Sequence, residues 1–285
     1  MKEITPKDLK NALSNIRAIL SPTPLTYSPL ISDQIDRAVY LKWDSKFTTG
    51  SFKERGAVNF LLNLNSKQRK GGVCAASAGN HALALSYHAA RLEIPCTIIM
   101  PVHAPLVKIR RTEGYGARVI LSGASFDEAN DLALKLAQKE RLTLVPAFNH
   151  RDIILGQATA AMEIVDQCME FDGLIGPIGG GGLMAGISSF LRVQKKPRYL
   201  VGVQSTWATS ARTKTLRSSL KPLSIADGIA VKKIGDITGP ILKRSLDRII
   251  SVGEDEITGA IVKYLEFERA VVEGAGAASL AGLLK

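Results

Sequence analysis

The chain has 285 residues, 46% of them hydrophobic and 22% charged, with a formal net charge of +11. That composition supplies apolar material for one or two packed cores and excludes an intrinsically disordered chain. No apolar run approaches membrane-spanning length, and the polar start Met1-Lys2-Glu3-Ile4-Thr5-Pro6 carries no signal-peptide core, so a cytoplasmic protein without a membrane partner is expected.

Thr5-Pro6-Lys7-Asp8 predicts a helix start, with Thr5 as N-cap, Pro6 at the first helical position and Asp8 at the positive end of the dipole. Leu9, Leu13, Ile16 and Leu20 then recur at helical spacing, and prolines at 22, 24 and 29 end the pattern. Residues 38–43 read as a short strand leading to a loop around Lys53. Beyond it, strands predicted at 72–76, 96–100, 118–121 and 143–145 alternate with helices at 80–92, 105–113 and 125–139. The last residue of the helix at 105–113 is followed by Gly114, which suits a left-handed cap. A second set comprises strands at 173–178, 199–203 and 249–252 and helices at 183–192 and 255–269. The fold class is therefore α/β, with mostly parallel sheets flanked by helices in two units that meet near 149–152 and leave a ligand cleft between them. The amino-terminal helix is expected to pack with the later unit.

The positive charge is concentrated. No Asp or Glu occurs between positions 173 and 226, whereas Arg192, Lys195, Lys196, Arg198, Arg212, Lys214, Arg217 and Lys221 all fall there. No helix-turn-helix, zinc module or aromatic stacking motif accompanies them, so they read as a solvated basic face and no nucleic-acid partner is expected. Cys74, Cys96 and Cys168 are far apart and odd in number, which fits buried thiols in a reducing compartment. His81 and His88 lack the i, i+4 spacing of a zinc hydrolase, and no metal is expected.

Three segments carry chemistry. Lys53 sits in Thr49-Gly50-Ser51-Phe52-Lys53-Glu54-Arg55-Gly56-Ala57, where small and hydroxyl neighbours favour a partly desolvated amine of lowered pKa. Gly179, Gly180, Gly181 and Gly182 join a strand to a helix, so successive N–H groups can face a phosphate. A P-loop is excluded because no Gly-Lys-Ser/Thr follows. Gly180-x-Gly182-x-x-Ala185 fits a permissive dinucleotide fingerprint, but the ribose-binding acid is missing near Gln204 and Ser205. Ser77-Ala78-Gly79-Asn80-His81 also joins a strand to a helix, and reads either as a carboxylate grip or as simple N-capping. An amine, a phosphate cradle and a polar turn together suggest a pyridoxal phosphate enzyme.

These segments resemble the fold-type II pyridoxal phosphate enzymes, which are tryptophan synthase β-like, and most closely the serine/threonine dehydratases, or threonine ammonia-lyases. Further matching segments are Gly114-Tyr115-Gly116-Ala117, Gly156-Gln157-Ala158-Thr159, the run from Ile225 to Val231, and Val272-Glu273-Gly274-Ala275-Gly276-Ala277. The resemblance implies a large cofactor-binding domain from 1–68 and 152–285 and a small domain from 69–151. It makes Lys53 the lysine that holds the aldehyde of pyridoxal 5'-phosphate, Phe52 a ring neighbour and Asn80 the partner of the cofactor's phenolic oxygen. Gly179, Gly180, Gly181 and Gly182 with Leu183 become the phosphate cradle. Ser77, Asn80 and His81 border the substrate, with Lys53 and Ser77 as the catalytic residues. The implied reaction converts L-threonine to 2-oxobutanoate and ammonia, or L-serine to pyruvate and ammonia, in a homo-oligomer, dimer or tetramer.

Some positions depart from the family pattern. Relatives continue into a further strand and a Ser-Gly-Gly-Asn-like turn whose serine or cysteine meets the pyridine nitrogen, whereas this sequence stops at Lys285; an open sheet edge is the expected consequence, and a catalytically impaired, cofactor-binding relic or regulatory protein is the alternative. Asp44 stands where a glutamate is usual, and Phe47 where a glutamine is frequent. Serine racemases of this group carry a cation site whose matching positions here are Gln204 and Ser210, which weakens that alternative; a hydroxyaspartate lyase is a further one. Glu54 replaces the aspartate usual beside the lysine in cysteine and threonine synthases.

Overall fold

Thr5 caps the first helix, α1 (Pro6–Ile19), through a reciprocal capping box with Asp8, and Pro6 occupies its first turn, as the sequence predicts. The structure is a computed structural model describing residues 3–168, 170–194, 199–208, 211 and 224–285. Ser210 and every residue of the basic stretch except Arg192 lie outside the described residues; Arg192 is exposed.

Between α1 and the lysine loop the chain forms a small antiparallel pair, β1 (Leu25–Tyr27) and β2 (Tyr40–Lys42), around α2 (Pro29–Ile35). β2 is thus shorter than the strand predicted at 38–43. Next come α3 (Lys53–Leu62) and α4 (Ser66–Gly71), then β3 (Val73–Ala76), α5 (Asn80–Arg91), β4 (Cys96–Met100), α6 (Leu106–Gly114), β5 (Arg118–Leu121), α7 (Phe126–Lys139) and β6 (Thr143–Leu144). The four strands form one parallel sheet in the order β5-β4-β3-β6. Every residue of β3 and β4 is buried. Alternate side chains explain this: Val73, Ala75, Ile98 and Met100 pack on one side with Ala82 and Leu85 of α5, while Cys74, Ala76 and Ile99 pack on the other with Ala129 and Ala133 of α7.

The second parallel sheet, in the order β7-β8-β9, comprises β7 (Gly173–Pro177), β8 (Tyr199–Ser205) and β9 (Arg248–Val252). It is flanked by α8 (Arg151–Gln167), α9 (Gly182–Val193) and α10 (Thr238–Ser245), and by α11 (Glu254–Glu268) and α12 (Gly274–Leu283). Leu9 and Ala12 of α1 join the cluster of α8 and α9, so the amino-terminal helix does pack with this later unit.

Two local expectations are corrected. The left-handed glycine after α6 is Gly116, at φ +86°, and not Gly114, which is the last helical residue. The Gly116 N–H donates to Glu113 O at 2.8 Å, so the helix runs on before the chain reverses. Of the cysteines, Cys74 and Cys96 are buried thiols in strands, but Cys168 is only half-buried, because it caps α8 at the protein's edge. Among the described residues no helix is long and apolar enough to cross a membrane.

α3 is central to the site because it carries Lys53 at its start. It is held against α8 at backbone distance: a Cβ on Gly156 would lie 2.5 Å from Arg55 O, so only glycine permits this approach.

Candidate active site

Lys53 and the loop before it are pinned by buried charge. Glu54 is fully buried, accepting from the Thr49 N–H and pairing with His88 Nε2 at 2.7 Å. Burial alone would raise the Glu54 carboxyl, but His88 and the Thr49 N–H hold it below its ordinary range. Arg55 points the other way. Its guanidinium makes a fork with Asp44, Nε to Oδ2 and Nη2 to Oδ1 both at 2.7 Å, and a second fork with Glu163 at 2.6 and 2.8 Å. Lys42 Nζ also donates to Glu163, at 2.7 Å, and the guanidinium lies 4.9 Å from the Phe47 ring centroid. The first turn of α3 is therefore clamped to β2, to the turn at Asp44–Lys46 and to α8.

The Lys53 amine donates to Ala147 O at 2.9 Å and lies 5.3 Å from the Phe52 ring centroid. Although the side chain as a whole is half-buried, burial dominates at the amine and pushes its pKa down to about 8, with Glu273 opposing.

Around the amine stand the two strand-to-helix turns. After β3, Ser77 Oγ accepts from the Gly79 N–H at 3.2 Å, and α5 begins at Asn80 with no acidic residue in its first turn. Asn80 Nδ2 donates to Glu273 Oε1 at 2.6 Å. His81 is buried, and burial followed by the nearby Lys53 pushes its pKa down to about 4. The ring is therefore neutral near pH 7, and since Val145 O at 2.9 Å can only accept, Nε2 carries the proton.

After β7 the glycine loop runs into α9. Gly181 has φ +91°, a conformation that disfavours a side chain, and a Cβ on Gly180 would sit 2.3 Å from the Phe148 ring. Thr238 Oγ1 donates to Gly180 O at 2.6 Å, tying that carbonyl back. α9 has neither an acidic residue in its first turn nor a side-chain cap, so its leading N–H groups are left for an anion.

One cleft of about 1820 Å³ is lined by Lys53, Phe52, Ser77, Asn80, His81, the glycines at 179–182 and Leu183, so the residues expected from the sequence to bind cofactor or substrate all border it. Ser51 Oγ and Gln157 Oε1, on residues that also line it, are buried without a protein partner. A depressed amine, an acid-free cradle that a Cβ would fill and orphaned polar atoms are what pyridoxal phosphate requires, and the residues fit it. Among the described residues the cleft continues along β7, an edge strand of its sheet.

Residues 16–285 match the family described as pyridoxal-phosphate dependent enzyme. The chain belongs to that family. Its cofactor is pyridoxal 5'-phosphate. This pyridoxal-phosphate dependent enzyme is 41% identical to an L-threonine ammonia-lyase of Thermotoga maritima, over 99% of this chain and 71% of that protein. The fold is shared with processed threonine deaminase isoform 2 of Solanum lycopersicum, with TM-score 0.91 and 31% identity over 99% of this chain and 85% of that one. It is shared equally with maize serine racemase, with TM-score 0.93 and 28% identity over 99% and 86% of the two chains. Other threonine dehydratases that it matches are longer, and the chain spans 48 to 55% of their length.

Sequence reasoning missed several residues of this pyridoxal-phosphate dependent enzyme's cleft. Ala147 and Phe148, which line it, and Thr238, which ties back the Gly180 carbonyl from outside the lining, carry no local signal, because their partners lie far along the chain, whereas Gln157 was visible within a family-like segment. Glu273 was visible within a family-like segment, but its contact with Asn80, 193 positions away, was not.

Proposed function

We propose that this protein is a threonine ammonia-lyase, a carbon–nitrogen lyase converting L-threonine to 2-oxobutanoate and ammonia, and L-serine to pyruvate and ammonia. The observation that carries the reading is the Lys53 amine, depressed to about 8 in the same cleft as the acid-free glycine cradle. When bound, pyridoxal phosphate supplies an aldehyde that takes up amines and a ring that draws electron density from Cα.

The protein's own groups account for the rest. Near neutrality Lys53 Nζ is poised between ammonium and free amine, so it can take a proton from a carbon beside it and return it. The first N–H groups of α5, with Ser77, hold the substrate carboxylate at the positive end of that helix. His81 adds no charge there; its bond to Val145 O orients the turn. The start of α9, with Leu183, holds the phosphate, and Phe52 covers the ring. The division into 1–68 with 152–285 and 69–151 is supported by the presence of one parallel sheet in each part. A homo-oligomer rests on the family resemblance alone.

The racemase alternative shares the fold but loses its cation. Gln204, at one of the matching positions, is a buried neutral amide whose Nε2 donates to Ser251 Oγ at 3.0 Å, a poor substitute for a carboxylate around a hard ion. Purified protein supplied with pyridoxal phosphate is expected to release 2-oxobutanoate from L-threonine, with no added divalent cation required. Formation of D-serine from L-serine without oxo acid would favour the racemase, and cofactor binding with no product at all would leave a relic.

A further inference from the structure

Glu273 immediately precedes α12 as its N-cap, a place where an acidic side chain usually accepts from the helix's own N–H groups. It makes no such cap. Its carboxylate reaches across the cleft instead, to Asn80 at the start of α5 on the other parallel sheet's side. The bond is short, at 2.6 Å, and both residues line the cleft that holds Lys53.

An ionised carboxylate can only accept, so the Asn80 amide must turn its nitrogen toward Glu273 and its oxygen away. One N–H is used in that bond. The second leaves the same nitrogen, and the ring oxygen of the cofactor, another acceptor, needs the same polarity. Without Glu273 the carboxamide can rotate and present its oxygen to an oxygen, which is repulsive.

We propose that Glu273 is the positioning residue that fixes the Asn80 carboxamide with its remaining N–H toward the cofactor's ring oxygen. The proposal rests on the reading of Asn80 as the partner of that oxygen. Charged groups facing Glu273 are Lys53, Lys108 and Asp227. Although the residue as a whole is solvent-exposed, desolvation by the surrounding protein, joined by Asp227, holds its carboxyl above the ordinary range against the pull of Asn80, Lys108 and Lys53. The remaining anionic charge also stands near the amine end of the cofactor site, where it favours a protonated nitrogen.

The test is titration of apoprotein with pyridoxal phosphate, followed by absorbance, with no substrate present. Glu273→Ala is expected to weaken binding about tenfold, the scale of a charge-assisted hydrogen bond. Glu273→Gln should recover part of this, since its amide oxygen can still accept. Asn80→Ala should weaken binding at least as much, and the double variant should be no worse than Asn80→Ala. The pH midpoint of the bound cofactor's absorbance should fall in Glu273→Ala, a shift that loss of packing alone would not produce. Additive losses in the double variant, or unchanged affinity in Glu273→Ala while Asn80→Ala is impaired, overturn the positioning role alone. If Asn80→Ala binds as tightly as the unaltered protein, the reading of Asn80 fails with it.

Discussion

Gly180 packs its α-carbon directly against the Phe148 ring, leaving no room for even a methyl group: a Cβ there would come within 2.3 Å of the ring carbons. The ring comes from the chain just before α8 and the glycine from the loop before α9, so the two sides of the proposed phosphate cradle are keyed together. Gly180→Ala must push the ring or the loop aside. Overpacking of this kind costs about 1–3 kcal/mol, which predicts roughly tenfold weaker pyridoxal phosphate binding, measured by equilibrium dialysis. Adding Phe148→Leu, which removes the clashing ring, should restore part of the affinity.

The amine of Lys53 should titrate well below ordinary lysines. Its folded pKa of about 8 lies under the usual 10.5, because burial disfavours the ammonium. In the apoprotein, labelling of Lys53 by a limiting amine reagent should therefore rise with a midpoint near pH 8, read by peptide mass spectrometry, while surface lysines label only at higher pH. Because the unfolded chain binds the extra proton between about pH 8 and 10.5, this group makes stability increase with pH across that window. Glu273→Ala should move the labelling midpoint downward, since Glu273 opposes the depression.

How much of this was legible from the sequence depended on distance along the chain. Lys53, Asn80 and the glycines at 179–182 announced themselves because each lies in a short segment whose backbone conformation the neighbouring residues dictate. The alternating strands and helices of both sheets were equally visible, from short apolar runs separated by polar turns. α8 had no comparable signal: residues from Ile153 to Ala161 are all buried, so no polar stripe marks a helical period. Nor could local pattern show that Asp44, Arg55 and Glu163 converge, since Arg55 and Glu163 are 108 positions apart. Asp44 and Phe47, noted as departures from the family, both contact Arg55.

That convergence predicts a large stability effect. Arg55 is fully buried between Asp44 and Glu163, and its removal strands two carboxylates beside Lys42. Arg55→Leu should lower the unfolding free energy by about 3–5 kcal/mol, the range for a buried pair that loses one partner. Arg55→Lys should rescue little, because an ammonium cannot make both forks. Urea unfolding of the apoprotein measures both.

His81 gives the acid side of the pH profile. Its folded pKa of about 4 is depressed from 6.5, so between those values the unfolded chain takes up a proton that the folded protein refuses. Stability should fall as pH drops from 6.5 to 4, with the penalty complete below. His81→Asn should remove that part of the slope and leave the curve above pH 7 parallel to the unaltered protein. Chemical denaturation at stepped pH distinguishes the two profiles.

The role of Lys53 is tested most directly by one covalent attachment. Borohydride reduction of the protein with bound pyridoxal phosphate, followed by proteolysis and mass spectrometry, should place the phosphopyridoxyl group on the peptide containing Lys53, and Lys53→Ala should lose it. Recovery of the label on any other lysine of the unaltered protein, with Lys53 unmodified, would contradict the assignment.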